Sequence, residues 1–442
     1  MAGIFKAYDI RGTYPDQLNE ELAYKIGYAA VRVLEAETIV VGRDMRESGV
    51  ELSRALIRGI SDAGADVIDI GMASTPMVYF GVVHWKACGG IQVTASHNPA
   101  EYNGFKFCGK MAVPVSYDSG LDQVEKLVKG GMQSMPGKKG SVETREIAAD
   151  YRAHLLKFTD DIKPLSIAVD AGNGVMGAFL PALLDKMPVD YIPLFFEPDG
   201  TFPNHEANPL KEENMRDLVK KVKETGADLG IAFDGDGDRS MYVDEKGNLI
   251  PADFITALIA REMLEREPGA TICYDLRSSK VTRETIVALG GKPVETRVGH
   301  SFIKQTMRQH NSIFAGELSG HFYFRDMFTT DNAEMAAIQV LSIISKSGKK
   351  LSELIAPLKK YYASGEINFE VEDKDRCLAA LKKQYADASE QYELDGFTVK
   401  YADWWCNVRA SNTEPVLRLN LEADTPAIRD AKVAEIKHLF GE

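Results

Sequence analysis

The chain has 442 residues, too many for one ordinary hydrophobic core, and points to two to four domains. It is 45% hydrophobic and 26% charged with a net charge of −13, the composition of a soluble globular protein whose acidic surface repels polyanions and excludes a general nucleic-acid binder. No apolar run is long enough to span a membrane, the opening MAGIFKAYDIRG lacks a signal peptide's apolar core, and the five cysteines (Cys88, Cys108, Cys273, Cys377, Cys406) form no CxxC pair, so reduced thiols in a cytoplasmic protein are expected.

Three stretches, residues 38–71, 165–195 and 270–299, share one plan: a β-branched strand, a polar turn, a segment of helical period and a second strand. Each is a βαβ unit of about 30 residues, the building block of a parallel sheet. In the first, Leu52, Leu56, Ile60 and Ala63 recur at helical spacing and define a buried face. Asp, Arg, Asn or Ser precede each helix, where backbone N–H groups favour anions. Three unrelated α/β segments would look similar; three repeated domains is the better reading.

From Gly365 the pattern changes. INFEVED reads as a strand, CLAALKKQYADASEQY as a helix, FTVKY as a strand, WWCNVRASNTEPVLRLNLEA as two strands about a polar centre, and TPAIRDAKVAEIKHLF as a closing helix. Successive strands without a crossover helix pair antiparallel, so this is a small α+β domain. With seams near MQSMPGKKGSVET, Pro251 and Gly365, the expected fold is three related mixed α/β domains (1–145, 146–250, 251–364) plus a C-terminal α+β domain (365–442) around a central cleft.

Four motifs could carry chemistry. In IQVTASHNPAEYNGFKF, Thr94, Ser96, His97 and Asn98 crowd a turn after a strand. Taken alone, Ser96 reads equally as a cap or a nucleophile, and no GxSxG elbow surrounds it. In IAFDGDGDRSMYVD, Asp234, Asp236 and Asp238 alternate with Gly235 and Gly237, and carboxylates so close repel unless a cation holds them. All-oxygen ligands suit magnesium, manganese or calcium rather than zinc. An EF-hand would place Glu245 at its twelfth position, but Arg239 stands where that loop needs glycine and the flanks read as strands. In FAGELSGHFYF, alternation projects Glu317, Ser319 and His321 to one side of an extended segment, a set suited to vicinal sugar hydroxyls or to a solvated strand end. In NVRASNTEPVLRL, Arg409, Ser411, Asn412 and Thr413 gather the donors that grip a phosphate dianion. His300 in isolation reads as structural.

KAYDIRG (6–12), TASHNP (94–99), DGDGDR (234–239), GELSGH (316–321) and RASNTEP (409–415), in this order over essentially the whole chain, resemble the α-D-phosphohexomutases, specifically the phosphomannomutase/phosphoglucomutase group. The resemblance implies a phosphoryl group on Ser96 and one Mg2+ held by Ser96, Asp234, Asp236 and Asp238. It implies interconversion of hexose 1-phosphate and hexose 6-phosphate through a hexose 1,6-bisphosphate that turns over in the cleft. Substrate phosphate would rest on Arg409, Ser411, Asn412 and Thr413, and sugar hydroxyls on Glu317 and Ser319. Tyr8 and Arg11 match the N-terminal motif, Arg11 stabilising charge on the transferring group. His97, Lys106 and His321 are implied for proton transfer, while Arg239, Arg277 and His300 line the cleft and Arg43 lies near the phosphoserine.

Leu318 and the loop sequences resemble mannose/glucose-type members, and no residue separates those two sugars. A phosphoglucosamine mutase is the alternative; a magnesium-dependent sugar phosphatase would need no upstream serine loop, and a calcium-binding interaction protein would leave TASHNP and RASNTEP unexplained. Small-molecule hexose phosphates, no nucleic acid, no membrane and a monomer or weak homodimer complete the expectation.

Overall fold

A computed structural model describes residues 3–130, 138–371, 373–410 and 416–441. Its first three sheets repeat one topology. A central strand (Thr38–Arg43, Leu165–Asp170 or Thr271–Asp275) pairs in parallel with two neighbours, and the later neighbour turns back through a tight reversal into an antiparallel partner. The helices that cross over in the three repeats are Glu47–Asp62, Met176–Leu184 and Lys280–Ala288, as their periodicity predicts. The reversals are residues 94–101, 234–239 and 317–321. Each lies outside the carboxyl end of a parallel strand, where open α/β sheets bind ligands. Three of the four sequence motifs are therefore one structural position repeated.

The fourth sheet is wholly antiparallel, ordered Tyr362–Glu370, Val416–Ala423, Trp404–Ala410, Phe397–Lys400, Glu390–Tyr392. Two details differ from the sequence reading. The helix beginning at Lys374 ends at Gln384, because the Asp395-Gly396 turn (Gly396 φ 72°) folds Glu390–Tyr392 onto Phe397–Lys400 as a hairpin. Val142–Thr144, inside the expected first seam, is instead a strand on the edge of the first sheet, parallel to Asp66–Met72.

Packing separates the last domain from the rest. One apolar cluster runs without a break from helix Thr75–His84 through the second and third sheets to helix Ala333–Ser347. The fourth sheet has its own core around Phe369, Trp404, Val408 and Leu419, and meets the third domain through polar contacts. Among these are Lys280 Nζ to Asp424 (2.7 Å) and the Val298 N–H to Asp395 (3.0 Å). No helix among the described residues is long and apolar enough to cross a membrane, and all five cysteines are unpaired.

Glu334 is buried where the first three domains share this core, beside Tyr151, and its Oε2 has no partner. Burial pushes its carboxyl up to about 7. The folded state thus binds this proton more tightly than the unfolded chain, whose carboxyl titrates near 4.5. Its contribution is complete below that value and is lost as pH rises through about 7, a penalty at pH 8 of at most ~3 kcal/mol. The variant Glu334→Gln is expected to melt above the wild type at pH 8, with the difference shrinking as pH falls and closing below about 4.5, which differential scanning calorimetry across this range checks.

Candidate active site

The serine loop leaves strand Gly89–Val93 and returns along Tyr102–Gly109. Ser96 takes a left-handed conformation (φ 53°) and is fully buried. Its N–H donates to Thr94 Oγ1 (2.8 Å), its Oγ donates to Asp234 Oδ2 (2.9 Å), and His97 Nδ1 stands 3.2 Å from that Oγ. Burial, with Arg239, Arg11 and Lys106 nearby, holds His97 well below its ordinary value, so its imidazole is neutral. Arg11, on strand Ile10–Thr13, reaches Asn98 of the loop (2.7 Å) and pairs with Asp9.

The aspartate hairpin of the second domain meets this loop directly. A Cβ on Gly235 would stand 2.6 Å from the Ser96 carbonyl oxygen, and Gly237 is left-handed, so the glycines serve close approach and turning. Asp234, Asp236 and Asp238 are all buried, with carboxylate oxygens within 4.8 Å of one another. Lys106 Nζ donates to Asp236 (2.7 Å) and Asp238 (2.5 Å), and Thr75, first residue of helix Thr75–His84, donates its N–H to the Asp236 carbonyl (2.9 Å). Burial opposes a charge on Lys106, yet Asp236, Asp238 and Asp234 outweigh it and raise the ammonium above its ordinary value. Burial, then Asp238 and Asp236, pushes Asp234 well above the carboxylate range. Asp236 Oδ1 and Asp238 Oδ1 remain buried without a hydrogen bond, Asp238 Oδ1 having only ion-pair contacts with His321 (3.4 Å) and Arg239 (3.9 Å). Hard, orphaned carboxylate oxygens beside a serine hydroxyl fit a divalent cation of the magnesium type. Glu245, the EF-hand's twelfth position, lies beyond strand Ser240–Asp244 and accepts from Ser352 (3.2 Å from its N–H), away from the cluster.

The third-domain loop is a reversal rather than the extended segment expected: the Gly320 N–H donates to the Glu317 carbonyl (3.0 Å), the Glu317 N–H to that of His321 (2.9 Å). Turning, not alternation, brings the three side chains together. His321 Nδ1 faces Ser319 Oγ (2.8 Å) and Glu317 Oε2 (3.2 Å), and its Nε2 faces Arg239 Nε (3.2 Å) and Asp238 Oδ1 (3.4 Å). Burial and Arg239 oppose a charge on His321, but Asp238 and Glu317 outweigh them and raise it to about 9.

A cavity of about 1120 Å³ opens above these loops, lined from all four domains by Tyr8, Arg11, His97, Lys106, Arg239, His300, His321 and Arg418. Tyr8 spans the first and third domains, its hydroxyl donating to the Val298 carbonyl (3.0 Å). Arg277 (3.7 Å) and Arg409 (2.9 Å) converge on Glu366, and Arg277 also lies 3.5 Å from Glu317. Ser411, Asn412 and Thr413 fall outside the described residues. The arginine that grips the backbone of the serine loop is Arg46 rather than Arg43, whose guanidinium among the described residues donates to the Asp44 carbonyl (3.3 Å). Arg46 was legible as half of a repeated Asp-x-Arg, DMR at 44–46 and DLR at 275–277; Glu366 and Arg418 carried no motif.

Three α/β repeats and an antiparallel domain closing over one cation-lined cleft are the build of enzymes that move a phosphoryl group within a sugar phosphate. Sequence models of the phosphoglucomutase/phosphomannomutase family match all four domains: the α/β/α domains I, II and III at residues 2–135, 149–247 and 251–361, and the C-terminal domain at 366–438. Similar curated proteins include phosphohexose mutases of Xanthomonas campestris pv. campestris, 40% identical over 99% of this chain and 98% of theirs, and a phosphomannomutase of Escherichia coli K12, 39% identical over 99% of both. A phosphoglucomutase/phosphomannomutase family protein from Burkholderia thailandensis superposes with a TM-score of 0.90 at 34% identity, covering 99% of this chain and 96% of that one. The chain belongs to the phosphoglucomutase/phosphomannomutase family, intramolecular phosphotransferases of the isomerase class, and is a phosphohexomutase.

The orphaned oxygens give a direct test of the cation site. Mg2+ or Mn2+ titrated into chelator-treated protein is expected to raise its melting temperature saturably, and Asp236→Asn to abolish that shift. Differential scanning fluorimetry on both proteins across the metal titration checks it.

Proposed function

We propose that Ser96 is the residue that carries the phosphoryl group, and that the enzyme interconverts the 1- and 6-phosphates of mannose and glucose through a hexose 1,6-bisphosphate. The observation that carries this reading is Ser96 Oγ buried against Asp234, in a cluster where Asp236 Oδ1 and Asp238 Oδ1 make no hydrogen bond, beneath a cavity lined by cations. Asp234, Asp236, Asp238 and the phosphorylated Ser96 would hold one Mg2+. When bound, the cation neutralises charge on the phosphoryl oxygens.

The other steps belong to the side chains. Arg11 and Arg239 both line the cavity and would offset charge that spreads over the phosphoryl oxygens in the transition state. Lys106, committed to two carboxylates, serves as a fixed positive charge rather than a proton carrier. A hexose hydroxyl attacks phosphorus, the P–O bond to Ser96 breaks, and the serine oxygen takes a proton. Neutral His97, within reach of that oxygen, takes the proton lost by the sugar hydroxyl and returns it to the serine oxygen, while His321, held charged by Asp238 and Glu317, stays a fixed cation of the wall. The bisphosphate then reorients, and the opposite phosphate returns to Ser96 while the first rests on Arg409, Ser411, Asn412 and Thr413. Tyr8, His300 and Arg277 complete the wall that keeps it from leaving.

The relatives named phosphomannomutase support a mannose/glucose substrate over glucosamine phosphate. We place the enzyme in the cytoplasm as a monomer or weak homodimer.

With Mg2+ and a trace of hexose 1,6-bisphosphate, the wild type is expected to interconvert mannose 1- and 6-phosphate and glucose 1- and 6-phosphate without releasing phosphate. Ser96→Ala is expected to lose on the order of 10⁴-fold or more in kcat. Phosphate release without isomer would make the protein a phosphatase, and turnover of glucosamine phosphate alone would move it to the alternative substrate.

A further inference from the structure

The three repeated domains share a device of which the sequence shows only a part, the Asp-x-Arg of the first and third. The central strand of each ends in an aspartate (Asp170, Asp275) or is followed by one (Asp44), and its Oδ1 accepts from the N–H two residues on: Arg46 (3.0 Å), Gly172 (2.8 Å) and Arg277 (2.7 Å). The Oδ2 then holds a cationic or titratable partner: Arg46 (3.1 Å), His205 (3.0 Å) and Arg277 (2.8 Å). In the first and third domains the same Oδ2 also fixes the neighbouring reversal, through Thr94 Oγ1 (2.7 Å) and the Leu318 N–H (2.7 Å).

Where the guanidinium goes from there distinguishes the domains. Arg277 turns outward to Glu317 and Glu366. Arg46 turns inward, its side chain fully buried, and donates to four carbonyls of the serine loop: Pro99 (2.6 Å) and Tyr102 (2.9 Å) through Nη1, Ser96 (3.0 Å) and Asn98 (2.6 Å) through Nη2. The ring of Phe202, from the second domain, lies 5.1 Å from its Cζ, and a Cβ on Gly200 would stand 2.6 Å from its Cα. A planar fork with five donors is the side chain able to gather this many carbonyls at once.

We infer that Arg46, held by Asp44, is a positioning residue for phosphoryl transfer: it fixes the backbone of residues 96–102 so that Ser96 keeps its left-handed conformation with Oγ on Asp234. The inference rests on the reading of Ser96 as the phosphoryl carrier. Left-handed serine is strained by about 1 kcal/mol or more, so without the clamp the loop relaxes and Oγ moves. Glu317, Ser319 and Arg409, read as holding the sugar hydroxyls and the resting phosphate, stand on other loops and make no contact with Arg46. Misplacing a reacting atom by about 1 Å costs on the order of 10²-fold in rate.

Arg46→Lys keeps a charge for Asp44 but cannot span four carbonyls. Thr94→Val is nearly isosteric and cuts the link from Asp44 to the Ser96 N–H. Each enzyme is labelled with hexose 1,6-[32P]bisphosphate, freed of excess label, and mixed with glucose 6-phosphate in a quenched-flow instrument. Transfer of label from folded enzyme is expected to slow about 100-fold in Arg46→Lys and about tenfold in Thr94→Val, with KM for glucose 6-phosphate within threefold of wild type. A folded Arg46→Lys that takes up label immeasurably slowly is the same result in the reverse direction. If that variant does not fold, Thr94→Val decides. Wild-type transfer rates per folded, labelled enzyme, or a loss confined to KM, overturn the inference while Ser96 keeps its role. A wild type that never carries label on Ser96 overturns both.

Discussion

Burying three carboxylates within reach of one another is the constraint on which the rest of this structure depends. Two like charges 4 Å apart repel by roughly 4 kcal/mol even at the moderate effective dielectric of a protein near its surface. Asp234, Asp236 and Asp238 are all but removed from water, so compensation has to be built around them. Lys106 arrives from the first domain, Arg239 from the hairpin itself, and the N-terminus of helix Thr75–His84 abuts the Asp236 carbonyl. Each source of positive potential fixes the position of an element: strand Tyr102–Gly109, the hairpin's return, and the helix that ties the first domain to the shared core. The cluster thus organises the interface between two domains as well as offering a cation site.

The repeated topology gives economy with divergence. One strand end and one reversal, used three times, present a serine, three aspartates and a Glu-Ser-His set to a common cleft. The aspartate at the strand end keeps its two hydrogen-bonding tasks in every copy, while its partner changes from an inward arginine to a histidine to an outward arginine. A scaffold that fixes backbone in the same way each time leaves the side chains free to specialise.

Much of this was legible in the sequence because the βαβ units are local: strand, turn and helix lie within about 30 residues, so period and punctuation suffice. The aspartate hairpin was legible because clustered like charge has few uses. Long-range pairing was not. Nothing in FAGELSGHFYF distinguishes a turn from an extended strand, since both bring Glu317, Ser319 and His321 to one side, and only the partner strand Phe322–Phe324 decides. Arg43 and Arg46 stand three residues apart in one polar run, and which of them faces the serine loop depends on how Asp44 is held. Glu366 is one of two carboxylates in an ordinary strand; its meaning comes from Arg277 and Arg409, distant in the chain.

The serine and its aspartate partner are 138 residues apart and belong to different domains. During synthesis the serine loop emerges and folds long before the hairpin that faces it, and the arginines of the last sheet follow later still. An unfinished chain therefore presents a serine with no carboxylate beside it and no wall to hold a sugar phosphate. The same is true of a first domain cut free by a protease. Dividing the site between folding units makes its assembly depend on the whole polypeptide, so a partial product of translation or degradation lacks the cleft.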